Sequence, residues 1–195
     1  MVNDLIRITN NPGSGFYLHN HSQLYQALVR NEIKEKPTLL IGVTYALLDF
    51  TENYPIKLKN TIVMETGGMK GKRREITREE VHQKLKENLG LTGIHSEYGM
   101  TELLSQAYSD GNGKFRCPPW MKVLIREYND PFAVGTAITT AKPLNGLINV
   151  IDLANLYSCS FIATDDVGRL YRNQSFEVLG RRDLSDIRGC SLLTL

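Results

Sequence analysis

No stretch of this sequence is both long and apolar. The longest apolar run, Leu39 to Leu48, is interrupted by Gly42, Thr44 and Tyr45 and falls well short of the roughly 20 residues a membrane helix needs. The N-terminal MVNDLIRITNN has no basic flank leading into an apolar core, so it does not match a signal peptide. Cysteine is scarce: Cys117, Cys159 and Cys190 are odd in number and far apart, with no C-x-x-C. That spacing excludes an ordinary zinc site and argues against a disulfide framework. Neither sign of charge dominates, since 23 Lys and Arg face 21 Asp and Glu for a net charge of +2. There is thus no electrostatic ground for nucleic acid or an anionic membrane as partner. Repeats, low-complexity segments and flexible linkers are also missing. Together these absences predict a reduced, cytoplasmic protein. What remains is ordinary globular composition, 42% hydrophobic and 23% charged over 195 residues, enough for one good hydrophobic core.

The order of local patterns predicts an α/β chain. After the turn formers Asn10 to Gly15, a helical pattern runs from Ser22 to Asn31. Thr38 to Val43 is a continuous apolar run suited to a strand covered on both faces, and a short helix to Phe50 follows. Thr61 to Thr66 reads as a second buried strand, ending at Gly67-Gly68. Thr77 with Glu80 forms a capping box that opens a helix to Leu89, with Gly90 as its C-cap. Gly93 to Glu97 is a third strand, and a short helix is expected from Thr101. Strand alternating with helix at this spacing predicts βαβ units and a parallel sheet. After residue 120 the texture changes to short strands: Met121 to Tyr128, Leu147 to Leu153, Ser160 to Thr164, Gly168 to Arg172 and Phe176 to Gly180. The chain therefore divides into an α/β part over 1–120 and a β-rich, antiparallel part over 121–195.

Three segments carry chemistry. Glu65-Thr66-Gly67-Gly68-Met69 ends a strand, where glycines let a ligand approach the backbone; the same residues also read as a plain strand-to-helix turn. Ser96-Glu97-Tyr98-Gly99-Met100-Thr101-Glu102 offers a ring for a base, a tight turn, a hydroxyl at a helix N-terminus suited to phosphate, and a carboxylate for a cation. Without a ligand, Tyr98 is a core residue and Thr101 an N-cap. Thr164-Asp165-Asp166 is either a turn between strands or a carboxylate pair for a metal or sugar hydroxyls. Other signals are discounted. Gly67 to Lys72 lacks the spacing of a P-loop, and His19-Asn20-His21 has no metal-binding context. His82 sits among helix surface charges, His95 reads as a strand histidine, and Trp120 with Pro118-Pro119 marks a packing turn.

Taken in order, these segments resemble a known superfamily. Tyr98-Gly99-Met100-Thr101-Glu102 is similar to the Y-G-x-T-E signature of adenylate-forming, acyl-activating enzymes. Thr164-Asp165-Asp166 resembles their T-G-D motif, Gly180-Arg181-Arg182-Asp183 their G-R-x-D hinge, and Gly67-Gly68 sits where they carry an adenine loop. Ile187-Arg188-Gly189-Cys190-Ser191-Leu192 points, within that superfamily, to LuxE-type acyl-protein synthetases, relatives of phenylacetate-CoA ligases that take a fatty acyl group on a cysteine near their own C-terminus.

The resemblance implies part of an adenylate-forming fold, a parallel βαβ sheet followed by an antiparallel β-rich layer. It further implies ATP or AMP and Mg²⁺ as cofactors and a carboxylic acid as substrate. Tyr98 would stack on adenine, with Gly67, Gly68, Gly99 and the backbone near Glu97 around it. Thr101 would bind the α-phosphate and Glu102 would hold Mg²⁺. Asp166 would take the ribose hydroxyls, Arg181 would contact ribose or phosphate, and Asp183 would be the hinge. Cys190 is either the acyl acceptor or a buried structural cysteine. An acyl-reductase or acyltransferase partner is implied by the same resemblance. Two family parts have no match: the Gly/Ser/Thr-rich loop for the β- and γ-phosphates, and the C-terminal lid with its lysine. The expectation is an incomplete acyl-protein synthetase, with a catalytically silent fragment or a phenylacetate-CoA-ligase-like former of acyl-CoA as alternatives.

Overall fold

In a computed structural model that describes residues 2–68, 76–136 and 142–182, the capping box at Thr77 forms as its sequence suggests. Thr77 Oγ1 accepts from the Glu80 N–H at 3.2 Å, and the Glu80 carboxylate accepts from the Thr77 N–H at 2.9 Å. The helix so started ends at Gly90, whose φ of +67° is the left-handed conformation that glycine adopts without strain.

The elements in order are α1 (Val2–Thr9), α2 (His21–Ile33), β1 (Thr38–Val43), α3 (Thr44–Asn53), β2 (Thr61–Thr66), α4 (Arg78–Leu89), β3 (His95–Tyr98), β4 (Ala107–Ser109), β5 (Phe115–Arg116), β6 (Met121–Arg126), β7 (Val134–Gly135), β8 (Leu144–Asp152), β9 (Phe161–Leu170) and β10 (Phe176–Arg181). They build one sheet in the order β1-β2-β3-β4-β5-β10-β9-β8-β6-β7. Pairing is parallel from β1 to β3 and antiparallel from β4 onward. The expected α/β class therefore stands, and the antiparallel strands continue the parallel ones edge to edge.

Three local expectations are corrected. β1 is not covered on both faces. Its order with β2 and β3 advances one way, and right-handed crossovers then put α3 and α4 on the same side. The other side stays open, leaving Leu39 and Ile62 each 51% exposed. The short helix expected from Thr101 is absent; residues 101–102 form a turn closed by the Leu103 N–H on the Met100 carbonyl at 3.1 Å. Finally, Asp165 and Asp166 do not join two strands. They lie inside the single strand β9, at a bulge opposite Leu147–Asn149 where the register shifts. A bulge inserts residues without ending a strand, which is why the polar pair imitates a turn in the sequence.

Two cores form. The helices and β1–β3 bury Leu28, Leu47, Leu48, Phe50, Val63, Leu85, Leu89 and Ile94. The antiparallel strands bury Phe115, Phe176, Val123, Ile148, Val150 and Leu170, together with Tyr98 from the end of β3. Tyr98 is thus the point where the parallel strands meet the second core.

Candidate functional site

The site is built at the C-terminal ends of β2 and β3. Thr66, the last residue of β2, pairs with Glu97 of β3, so Gly67 and Gly68 leave the sheet beside Tyr98. Gly67 has φ +76°, a conformation that side chains with a Cβ resist. Its carbonyl accepts a hydrogen bond from Thr44 Oγ1 at 3.3 Å. A Cβ on Gly99 would meet the Gln106 side chain at 3.0 Å, so the turn after Tyr98 has little room for anything larger.

Tyr98, Asp166 and Arg181 come together in a linked row. The Tyr98 hydroxyl donates to Asp166 Oδ2 at 2.8 Å, and Arg181 Nε lies 3.2 Å from Asp166 Oδ1. Bulges in two neighbouring strands set this up. The Asp166 N–H donates to Thr164 Oγ1 at 3.1 Å, and that hydroxyl donates to the Ile148 carbonyl at 2.8 Å, which fixes the β9 bulge. In β10 the register shifts between Val178 and Gly180, Gly180 takes φ +150°, and Arg181 becomes the cross-strand partner of Asp166. Burial pushes the Tyr98 phenol far above its usual range, and the neighbouring Asp166 charge and hydrogen bond add to that. Tyr98 is therefore a neutral donor at every physiological pH.

Tyr98 is 8% exposed, its ring edge-to-face with Phe115 at 6.0 Å and with Phe176 at 5.4 Å between centroids. Its hydroxyl is turned to Asp166, and its ring packs into the second core. Thr101 and Glu102 are both exposed on the turn that follows. Asp165 is exposed beside the row, and its carbonyl accepts from the Arg182 N–H at 2.9 Å. Asp183 and Cys190 lie outside the described residues.

The sequence reading missed a buried polar cluster beneath the Gly67-Gly68 turn. Glu65 is 4% exposed; Thr44 Oγ1 donates to it at 2.7 Å, while His82 Nε2 lies 3.6 Å and Arg78 Nε 3.7 Å away. His82 also meets Ser96 Oγ at 3.2 Å. Burial by itself would raise the Glu65 carboxyl, but hydrogen bonds from His82, Thr44 and Ser96 and the Arg78 charge outweigh it, and the carboxyl lies below its usual range. His82 is thus inside, 8% exposed, where its charged helix had suggested the surface. The hint was its spacing: His82 falls beside Val81 and three residues before Leu85, on the inward stripe. The cluster is not a nucleophilic triad. Ser96 and Glu65 both address the same His82 nitrogen, and Ser96 is fully buried.

The donor set suits Mg²⁺ only in part. No group of three His, Cys, Asp or Glu side chains converges among the described residues. Mg²⁺ is ordinarily held by one or two carboxylates together with phosphate oxygens rather than by an all-protein cage, and the exposed Glu102 fits that arrangement.

Comparison with known proteins agrees on architecture. No protein-family model matches the chain, and no curated protein matches it. Solved structures do. ATP-bound MatB from Rhodopseudomonas palustris superposes with a TM-score of 0.58 at 14% identity, over 86% of this chain and 34% of MatB. A mutant form of coronafacic acid ligase from Pectobacterium brasiliense gives 0.56 at 18%, over 84% and 32%. O-succinylbenzoate coenzyme A synthetase (MenE) from Bacillus subtilis, in complex with AMP, gives 0.55 at 19%, over 87% and 36%. The chain carries part of their fold. It spans about a third of the length of each of these enzymes, and at such identities the likeness is one of fold. No described helix is long and apolar enough to cross a membrane.

Proposed function

We propose that this chain forms the AMP-binding part of an adenylate-forming enzyme that activates a carboxylic acid. The observation that carries the reading is the Tyr98–Asp166–Arg181 row at the C-terminal ends of the parallel strands, the edge where open α/β sheets bind ligands. In this reading Asp166 takes the ribose hydroxyls, with the Tyr98 hydroxyl holding the carboxylate in place. Arg181 lies beside ribose or phosphate, Gly67, Gly68, Glu97 and Gly99 shape the edge around the base, and Thr101 donates to the α-phosphate. Glu102 supplies a ligand to Mg²⁺ shared with the phosphates.

The reaction such a site serves joins a carboxylate oxygen to the α-phosphorus of ATP as the bond to pyrophosphate breaks. A thiol sulfur then bonds to the acyl carbon and AMP leaves. Donors and a cation around the phosphate stabilise charge that grows in the transition state. The acceptor we assign to Cys190, in the manner of acyl-protein synthetases with a fatty acid as substrate; an acyl-reductase or acyltransferase would then use the thioester.

Calorimetry of the chain with AMP, adenosine and ATP tests the reading. AMP is expected to bind more tightly than ATP, because contacts for base, ribose and α-phosphate have candidates here while no loop for the outer phosphates was recognised. Asp166→Ala should weaken AMP and adenosine alike by about tenfold, the size of one lost charged hydrogen-bond set. Tighter binding of ATP would contradict the assignment. No binding of any of the three would favour the catalytically silent fragment; in a separate assay with labelled acid, ATP and coenzyme A, label on coenzyme A and none on protein would favour acyl-CoA formation.

A further inference from the structure

The turn that carries Thr101 and Glu102 belongs to no helix or strand, yet its backbone is fixed from below by two buried side chains. Asn155, 1% exposed, donates through Nδ2 to the Glu102 carbonyl at 2.6 Å and accepts through Oδ1 from the Leu104 N–H at 2.9 Å. Asp152, fully buried, accepts from the Ser105 N–H and from Ser105 Oγ, each at 2.8 Å, and from the Ala154 N–H at 3.0 Å. Trp120 Nε1 donates to the same Ser105 hydroxyl at 2.9 Å. The remaining Asn155 donor reaches the Cys159 carbonyl at 3.1 Å, which ties the pair into the β8–β9 connection. Burial would raise the Asp152 carboxyl, but its bonds from Ser105 and Ala154 hold it below the usual range, so it stays an acceptor.

These contacts share one property. On the turn itself they hold the main chain of residues 102, 104 and 105 and the Ser105 hydroxyl, and they leave the side chains of Thr101 and Glu102 exposed. A segment with no ladder of its own would otherwise give these backbone groups to water and sample many conformations. Side-chain amide and carboxylate here do the work of a strand partner. Leu103, 4% exposed, adds an apolar anchor in the second core.

We propose that Asn155, backed by Asp152, is a positioning residue that presents Thr101 and Glu102 to the α-phosphate and its cation. The proposal rests on the adenylate reading above. It predicts that loss of Asn155 damages phosphate binding while nucleoside binding survives, since Asp166, Tyr98 and Arg181 are held by different bonds. Pre-organised groups contribute to affinity mainly by avoiding the entropy of ordering on binding.

The experiment is calorimetry of the full chain with adenosine, with AMP, and with AMP plus Mg²⁺. For wild type, AMP with Mg²⁺ should bind more tightly than adenosine. Asn155→Ala should bind adenosine within about twofold of wild type and AMP with Mg²⁺ about tenfold more weakly. Asn155→Asp keeps the acceptor for Leu104 and loses the donor to Glu102, so it should show the same split. Should Asn155→Ala not fold, Asn155→Asp, which changes one atom of the side chain, decides by the same criterion. Equal loss for adenosine and AMP, or no loss for either, overturns the proposal while the adenylate reading stands. Wild type that binds AMP no better than adenosine, or binds neither, overturns the reading and the proposal together.

Discussion

The parallel and antiparallel halves of the sheet bury their interiors by different means. Between β1–β3 and the helices the core is mainly aliphatic, with Leu48, Leu85, Leu89 and Ile94 fully buried. Leu48 comes from α3, Leu85 and Leu89 from α4, and Ile94 from the residue before β3. In the antiparallel half the core centres on three rings, Tyr98, Phe115 and Phe176, drawn from β3, β5 and β10. Each half also carries one buried carboxylate below a candidate turn, Glu65 beneath Gly67-Gly68 and Asp152 beneath Thr101–Gln106. Glu65 has a guanidinium, Arg78, beside it as well as Thr44 and His82, whereas Asp152 is met by neutral donors. The candidate site lies along the boundary, so it inherits order from both halves.

The comparison is sharpened most by Phe176→Ala. Its ring is fully buried, 5.4 Å from both Phe115 and Tyr98, and truncation of such a ring costs about 3–5 kcal/mol. Chemical denaturation should show that loss. Hydrogen exchange should rise first in β8–β10, and equal acceleration in β1 and β2 would mean that the two cores act as one. Asp152→Ala comes next, at about 3 kcal/mol, because it strands the Ser105 and Ala154 N–H groups inside. A loss within error of zero would show that water replaces the carboxylate.

How much of this was legible in the sequence follows from the same contrast. The capping box at Thr77, the C-cap at Gly90 and the strands at Thr38–Val43 and Thr61–Thr66 depend on neighbours a few residues away, and they read correctly. β9 read as two pieces because a bulge puts Asp165 and Asp166 where a period-two pattern expects apolar alternation. The meeting of Tyr98 with Asp166 was suggested only by family resemblance, since 68 residues separate them. The Glu65 and Asp152 clusters escaped entirely. Each assembles single polar residues from separate elements, and even the helical spacing that turns His82 inward names none of its partners, which lie far along the chain.

Acid should expose the two carboxylates together. Both are held below their ordinary range in the folded chain. A depressed folded value stabilises the fold above the unfolded value of about 4 and loses that contribution as pH falls through the folded value. Thermal midpoints should therefore drop steeply below about pH 4. Glu65→Gln should flatten that drop while lowering stability at pH 7. An unchanged acid limb would show that other carboxylates dominate it. A smaller effect is expected at the α4 cap, where Thr77→Ala removes the bond to Glu80 and should cost about 1 kcal/mol, confined to the parallel half by hydrogen exchange.

The smallest expected effect runs the other way. Among the described residues Glu97 is a carboxylate near the boundary whose value is raised, first by burial and then by repulsion from Glu65. Its cross-strand partner Tyr108 is raised in turn, by burial and by the Glu97 charge. A raised carboxyl gives its full stability only below the unfolded value of about 4, and that stability is lost as pH rises through the folded value. At pH 7 the ionised Glu97 therefore opposes the fold. Glu97→Gln removes the charge and keeps the shape, so it should raise the thermal midpoint at pH 7 by a small amount, with no gain near pH 4. Because Glu65 supplies part of the repulsion, the gain should shrink when Glu65→Gln is already present, a coupling that a double-mutant cycle measures. Additive effects, or a lower midpoint at pH 7, would mean that Glu97 is balanced by a cation, and the electrostatic contrast between the two halves would need redrawing there.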